Sequence, residues 1–127
     1  MAKIIIIIFL HALGDFFLQG AKLSKLKALK LPQLFEHVGI YTAVFIVLSP
    51  LLLGLTFTQG LVYSLINGVL HFIIDYFTGV LKVRFLVKDE SKYITTIGLD
   101  HTLHVIILIT TYLYLYPDAI NVVSFWK

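Results

Sequence analysis

The stretch Gly60-Leu-Val-Tyr-Ser-Leu-Ile-Asn-Gly-Val-Leu-His71-Phe-Ile-Ile-Asp75-Tyr-Phe-Thr-Gly-Val-Leu81 decides the fold. It is long enough to cross the hydrocarbon of a bilayer, which takes about 20 apolar residues in a helix. A set of strands would need a closed barrel with alternating polar lumen positions, and no such alternation is present, so the segment is read as a helix. His71 and Asp75 stand inside it at i, i+4, on one helix face. An ionisable side chain at membrane depth costs at least ~2.5–3.5 kcal/mol on insertion scales, so this pair needs an explanation.

The same pattern recurs in both directions along the chain. Further apolar segments cover 4–19, 34–55 and about 95–116, and they carry His11-x-x-x-Asp15, Glu36-His37 and Asp100-His101-x-x-His104. All five histidines and four of the seven acids fall in these clusters. The chain of 127 residues is 59% hydrophobic and 13% charged, against roughly 25% charged in soluble proteins, and its mean hydropathy is +0.95. The expected fold is all-α: one domain over 1–127 with four transmembrane helices and an amphipathic basic connection at 20–33. With no cysteine, disulfides, thiolate metal sites and thiol nucleophiles are excluded. The basic residues lie between apolar segments, where membrane proteins keep them, so no nucleic-acid partner is expected.

The loops set an orientation. The 20–33 connection carries Lys22, Lys25, Lys27 and Lys30, and the 82–94 connection carries Lys82, Arg84, Lys88 and Lys92, against only Lys3 and Lys127 on the other side. This asymmetry predicts cytoplasmic basic loops with both termini outside. Lys3 before an apolar run resembles a signal peptide, but no small-x-small cleavage site follows, so a retained helix is expected. In the first connection, Leu23, Leu26 and Leu29 alternate with lysines. They suit a short helix on anionic inner-leaflet lipids, with Lys22, Lys25, Lys27 and Lys30 as the contacts, or an ordinary topology-setting loop. Tyr112, Tyr114, Tyr116 and Trp126 read as an outer aromatic belt, and Asp89, Glu90 and Asp118 as plain loop residues.

With about 1.5 Å rise per residue, Asp15, Asp75 and Asp100 lie roughly 8–9 Å in from the cytoplasmic ends of their helices, and His11, His71 and His104 roughly 13–15 Å in. Glu36 and His37 are expected nearer the surface, with His101, at the mouth of the site. His11-x-x-x-Asp15-Phe16-Phe17 also matches His71-x-x-x-Asp75-Tyr76-Phe77, and each is followed by an acid–histidine pair. The two halves therefore read as parallel repeats of a helix pair about a pseudo-two-fold axis along the membrane normal.

Imidazole and carboxylate without sulfur suit a divalent metal of the zinc or manganese/iron class. The candidate ligands are His11, Asp15, His71, Asp75, Asp100 and His104. Asp15, Asp75 and Asp100 are also the candidate catalytic carboxylates, since a carboxylate beside a metal-activated water can act as general base.

At His11-x-x-Gly14-Asp15-Phe16-x-Leu18-Gln19, His37, His71-Phe72-x-x-Asp75 and Asp100-x-x-Leu103-His104 the chain resembles a family of small bacterial and phage integral membrane proteins, domain of unknown function 3307. The chain departs from that family's common pattern in carrying His101 after Asp100, where glutamine is frequent. The resemblance implies a bacterial inner-membrane protein and brings no activity with it. A looser likeness to predicted membrane-bound metal-dependent hydrolases points to hydrolysis of a lipid-linked or amphipathic substrate reached from the inner leaflet. Other readings stand beside it: a carrier or channel for divalent metal or protons, acting as a homodimer; a haem-binding bundle; and a purely structural polar core.

Overall fold

The computed structural model describes residues 1–18, 27, 30–85 and 88–119. Helix α1 spans Ala2–Ala12 and widens into a π-helical turn, Leu13–Phe17. Then come α2 (Leu31–Leu53), α3 (Phe57–Phe85) and α4 (Glu90–Leu115), with a 3₁₀ turn at Pro117–Ala119. The all-helical expectation holds, and no strand occurs among the described residues. Most of the 20–33 connection, with Lys22 and Lys25, lies outside the described residues, as do Gln19 and Trp126.

Three helices, α2, α3 and α4, are long and apolar enough to cross a membrane. The first segment, expected to run as helix over 4–19, changes character at Leu13 and closes with the Leu18 N–H donating to the Leu13 carbonyl at 3.1 Å. At 1.5 Å per residue, 2–17 covers about 24 Å, short of a bilayer's hydrocarbon thickness of roughly 30 Å. Of the four helices expected, three are thus long enough to span, and the first is short over the described residues.

The long helices also start before their apolar windows, because capping rather than hydropathy sets their ends. Pro32 in the first turn starts α2 earlier than expected, at Leu31. Gly54 ends it with φ +68°, a left-handed conformation that a Cβ disfavours. Before α3, Thr56 Oγ1 accepts from the Gln59 N–H (3.2 Å) and Gln59 Oε1 accepts from the Thr56 N–H (2.9 Å), a reciprocal capping box. Asp89 accepts from the Lys92 N–H at 3.1 Å and starts α4 at Glu90, so Asp89 and Glu90 build a helix start where a plain loop was expected.

The four helices form a closed ring: α2 packs on α3, α3 on α4, and α1 closes against both α2 and α4. The short 54–56 and 86–89 connections make consecutive long helices antiparallel neighbours. The α2–α3 seam depends on small residues. Gly60, Ser64 and Gly68 recur every fourth position on α3 and face Ser49, Pro50 and Thr42 of α2. Such a stripe lets two helices approach closely in an apolar solvent, where packing replaces the hydrophobic effect.

Burial is inverted relative to a water-soluble protein. Among the described residues, twelve polar or charged side chains are buried against eleven hydrophobic ones, while Phe9, Phe17, Leu51, Val69 and Phe77 point outward more than half exposed. The apolar core, Ile7, Leu10, Phe45, Tyr63, Leu108 and Tyr112, fills the end away from the basic loops. Tyr112 belongs to this core at 0% exposure and is not part of an outer belt, and Tyr114 alone of the three described tyrosines is largely exposed. Tyr116 is partly buried and donates its hydroxyl to the Gln59 carbonyl at 2.6 Å.

Candidate metal centre

Every helix brings ionisable groups to the basic end of the ring. From α1 and its π turn come His11 and Asp15, from α2 His37, from α3 His71 and Asp75, and from α4 Asp100, His101 and His104. The π turn adds a residue to the helix cycle at Asp15, an irregularity frequent at functional sites. Gly14 lets the turn sit against α2, since a Cβ there would lie 3.0 Å from the Tyr41 ring. On α3, Ser64, Asn67, His71, Asp75 and Thr78 form one buried polar row facing the bundle axis.

At the centre, Asp15, His37, His71 and Asp75 are each at most 4% exposed and present one ligand atom apiece to a common point. His37 Nε2 lies 2.9 Å from His71 Nε2, 3.0 Å from Asp15 Oδ1 and 3.2 Å from Asp75 Oδ2. His71 Nε2 lies 3.7 Å from Asp15 Oδ1 and 3.4 Å from Asp75 Oδ2. Five of the six separations among the four donors thus fall between 2.9 and 3.7 Å. A tetrahedral metal with bonds of 2.0–2.1 Å requires edges of about 3.3–3.4 Å, so these five bracket ligand spacing.

Hydrogen bonding alone does not account for this arrangement. A neutral imidazole Nε2 either donates one proton or accepts one, yet His37 Nε2 faces another imidazole nitrogen, two carboxylate oxygens and, at 3.2 Å, the Lys27 ammonium. His11 Nε2 and His104 Nε2 are buried without a hydrogen bond, and the Asp75 oxygens have ion-pair contacts only. Buried polar groups are ordinarily satisfied, so this many left over in one place points to an electrophile as the shared partner.

Lys27 caps the set from the 20–33 connection, 3.2 Å from Asp15 Oδ1 and 3.3 Å from Asp75 Oδ2. Burial by itself would lower its pKa, but the Asp75 and Asp15 carboxylates outweigh that and hold it above the ordinary lysine value. Lys27 is thus a cation of the site, where the sequence suggested a lipid contact. Tyr41 stacks on His71 with ring centroids 3.8 Å apart and sets its plane, and its hydroxyl lies 3.4 Å from His11 Nδ1.

The expected site residues divide into distinct positions. His71, Asp75, Asp15, His11 and His104 are brought together. Asp100 joins them in a further buried group with Asp75 and His104, ligand atoms within 4.8 Å of one another, while Lys82 (2.6 Å) and the Thr78 hydroxyl (2.6 Å) donate to its two oxygens. Its backbone carbonyl accepts from His104 Nδ1 at 2.8 Å. His101 sits at the rim, its side chain 32% exposed and its Nδ1 3.5 Å from Asp15 Oδ2. Glu36 is exposed. His37 is 0% exposed at the centre of the cluster and not at its mouth. With α2 starting at Leu31, His37 falls in the second turn, and consecutive helical residues point about 100° apart, so Glu36 turns out while His37 turns in. The sequence reading passed over Tyr41, Thr78 and Lys82. Each lies at helical spacing from a recognised residue (His37 to Tyr41, Asp75 to Thr78, and Asp75 to Lys82 two turns on), and that spacing was the available signal.

A cleft of about 310 Å³ leads to this centre, lined by Lys27, Lys30, Leu31, Leu34, Asp75, Tyr76 and Val80. Its lining combines two lysines, the apolar Leu31, Leu34 and Val80, and the Asp75 carboxylate.

Fold and site together define a membrane-type helical bundle built around a buried histidine–aspartate cluster. The chain belongs to the family described as protein of unknown function (DUF3307), whose model matches residues 4–127. No curated protein and no solved structure matches it.

Proposed function

We propose that this chain is an integral membrane protein that binds a divalent metal through Asp15, His37, His71 and Asp75, and that it uses the metal to hydrolyse an amphipathic, anionic substrate. The convergence of those four buried donors, with five of their six separations at 2.9–3.7 Å, is the observation that carries the reading. Zinc held by all four would be a closed site of the structural kind. A six-coordinate ion of the manganese or iron class keeps two positions open on the same ligands, which favours that class for catalysis. Bound there, the metal supplies Lewis acidity and an activated water.

The chain's own groups would handle the substrate. Lys27 and Lys30 suit an anionic headgroup, while Leu31, Leu34 and Val80 suit an acyl or prenyl tail. Histidine and carboxylate groups confined to one end support an enzyme over a carrier. At the other end Ile7, Leu10, Phe45, Tyr63 and Tyr112 close the bundle with apolar and aromatic packing, and the buried polar row of α3 continues there only as the uncharged Asn67 and Ser64. The loop charges support a cytoplasmic basic end. A parallel repeat is supported by the ring, in which α1 and α3, each bearing His-x-x-x-Asp, are diagonal, and so are α2 and α4.

Metal-loaded protein in lipid nanodiscs is expected to hydrolyse phosphate or carboxylate esters of lipid-like substrates. Chelation should abolish turnover, and manganese or iron should restore it. Metal flux into proteoliposomes with no hydrolysis of either ester class would replace this reading with the carrier. Lys27 gives a further prediction. Because it is a like charge beside the metal position, Lys27→Gln is expected to tighten metal binding by about tenfold, measured by competition with a chelating dye. Weaker binding would show that Lys27 supports the metal and does not oppose it.

A further inference from the structure

Asp15 and Asp75 are each used on one side only by the four-donor set. Asp15 Oδ1 faces His37 and His71, while its Oδ2 faces His11 Nε2 at 3.8 Å and His101 Nδ1 at 3.5 Å. Asp75 Oδ2 likewise faces His37 and His71, while its Oδ1 faces His104 Nε2 at 3.6 Å. His11, His101 and His104 form a second group whose ligand nitrogens all lie within 4.8 Å of one another. We propose that this group holds a second divalent cation, bridged to the first through both oxygens of Asp15 and of Asp75, so that the site is a two-metal centre.

The tautomer of His104 supports this independently of the spacing. The partner of His104 Nδ1 is a backbone carbonyl, which only accepts, so Nδ1 carries the proton. In the neutral ring Nε2 is then an acceptor 3.6 Å from Asp75 Oδ1, acceptor against acceptor, with no hydrogen bond to either atom. His104 is 2% exposed, so water does not relieve the contact. His11 Nε2, 3% exposed at the residue, also lies without a hydrogen bond, 3.8 Å from Asp15 Oδ2; its Nδ1 meets the Tyr41 hydroxyl, which can donate or accept, so of the two rings only His104 has its tautomer fixed. A cation between the rings and the two carboxylates satisfies both pairs. The bond from His104 Nδ1 to the Asp100 carbonyl also fixes that ring's orientation, as metal-binding histidines commonly require.

The gaps here, 3.5–3.8 Å, exceed zinc-tetrahedron edges of about 3.3–3.4 Å. The group must close slightly as it fills, so this position is the weaker of the two. Three imidazoles and two bridging oxygens leave a coordination place for water or a substrate oxygen. Paired metals a few ångströms apart clamp both the attacking and the leaving oxygen of a displacement.

This inference rests on the metal reading of the four-donor set, and one experiment separates the two. Chelator-stripped protein in nanodiscs is titrated with Mn(II) and followed by electron paramagnetic resonance. The expected result is two equivalents bound in sequence, with an exchange-coupled spectrum emerging during the second. His104→Gln and the milder rim variant His101→Gln should keep the first equivalent and lose or weaken the second at least tenfold. One uncoupled equivalent, unchanged in both variants, overturns the second site and leaves the first intact. No bound metal at all overturns both. The coupled spectrum is read on the unaltered protein, so it stands even if a variant fails to fold.

Discussion

A His37→Ala variant is expected to purify without its tightly bound divalent metal, whereas Glu36→Ala keeps a full equivalent. The two residues are sequence neighbours with opposite fates: one is 0% exposed at the focus of the donor set and the other faces outward. Loss of the His37 imidazole removes the donor with the shortest contacts, 2.9, 3.0 and 3.2 Å to the other three. Removing a group that merely supports a ligand costs 10–100-fold in metal affinity, so removing the ligand itself should cost at least about 100-fold. Elemental analysis of both purified variants gives the answer, with circular dichroism to confirm helix content. Equal metal in the two would place the metal away from His37.

The second large effect is on the fold. A Cβ at Gly60 would overlap the Pro50 ring atoms of α2, with Ser49 Oγ 3.2 Å away. Gly68 is also crowded, but there the obstacle is the Thr42 side chain, which can change rotamer. The Pro50 ring is fixed to its backbone and cannot move aside. Gly60→Ala is therefore expected to cost about 1–3 kcal/mol, typical of overpacking, and Gly60→Leu to prevent assembly of the bundle. Gly68→Ala should cost less. Thermal unfolding in detergent ranks the three, and a Gly68→Ala more damaging than Gly60→Ala would contradict the proposed seam.

Much of the site was legible because helical spacing is strict. His11 with Asp15 and His71 with Asp75 share faces by i, i+4 arithmetic alone, and the cost of ionisable groups in apolar helices implied that those faces converge. His37 was misplaced because hydropathy locates the apolar window and not the helix start. The start at Leu31, set by Pro32, decides which way residues 36 and 37 turn. Lys27 was legible only as a loop charge, since spacing along the chain does not tell where a connection folds back. The π turn at Leu13–Phe17 shortened the first helix for a reason that periodicity cannot carry, because a π turn and an α turn share the same residue types. The Gly60–Ser64–Gly68 stripe was present in the sequence, but its meaning depended on knowing that α2 is the partner.

The central claim is that one divalent metal sits among Asp15, His37, His71 and Asp75. X-ray absorption at the metal edge, on protein purified from metal-supplemented medium, tests it most directly. The account predicts a nitrogen/oxygen shell with outer-ring scattering from two or more imidazoles, reduced by one imidazole and accompanied by metal loss in His71→Ala. A shell of oxygen alone, or stoichiometric metal unaffected by His71→Ala, would contradict it.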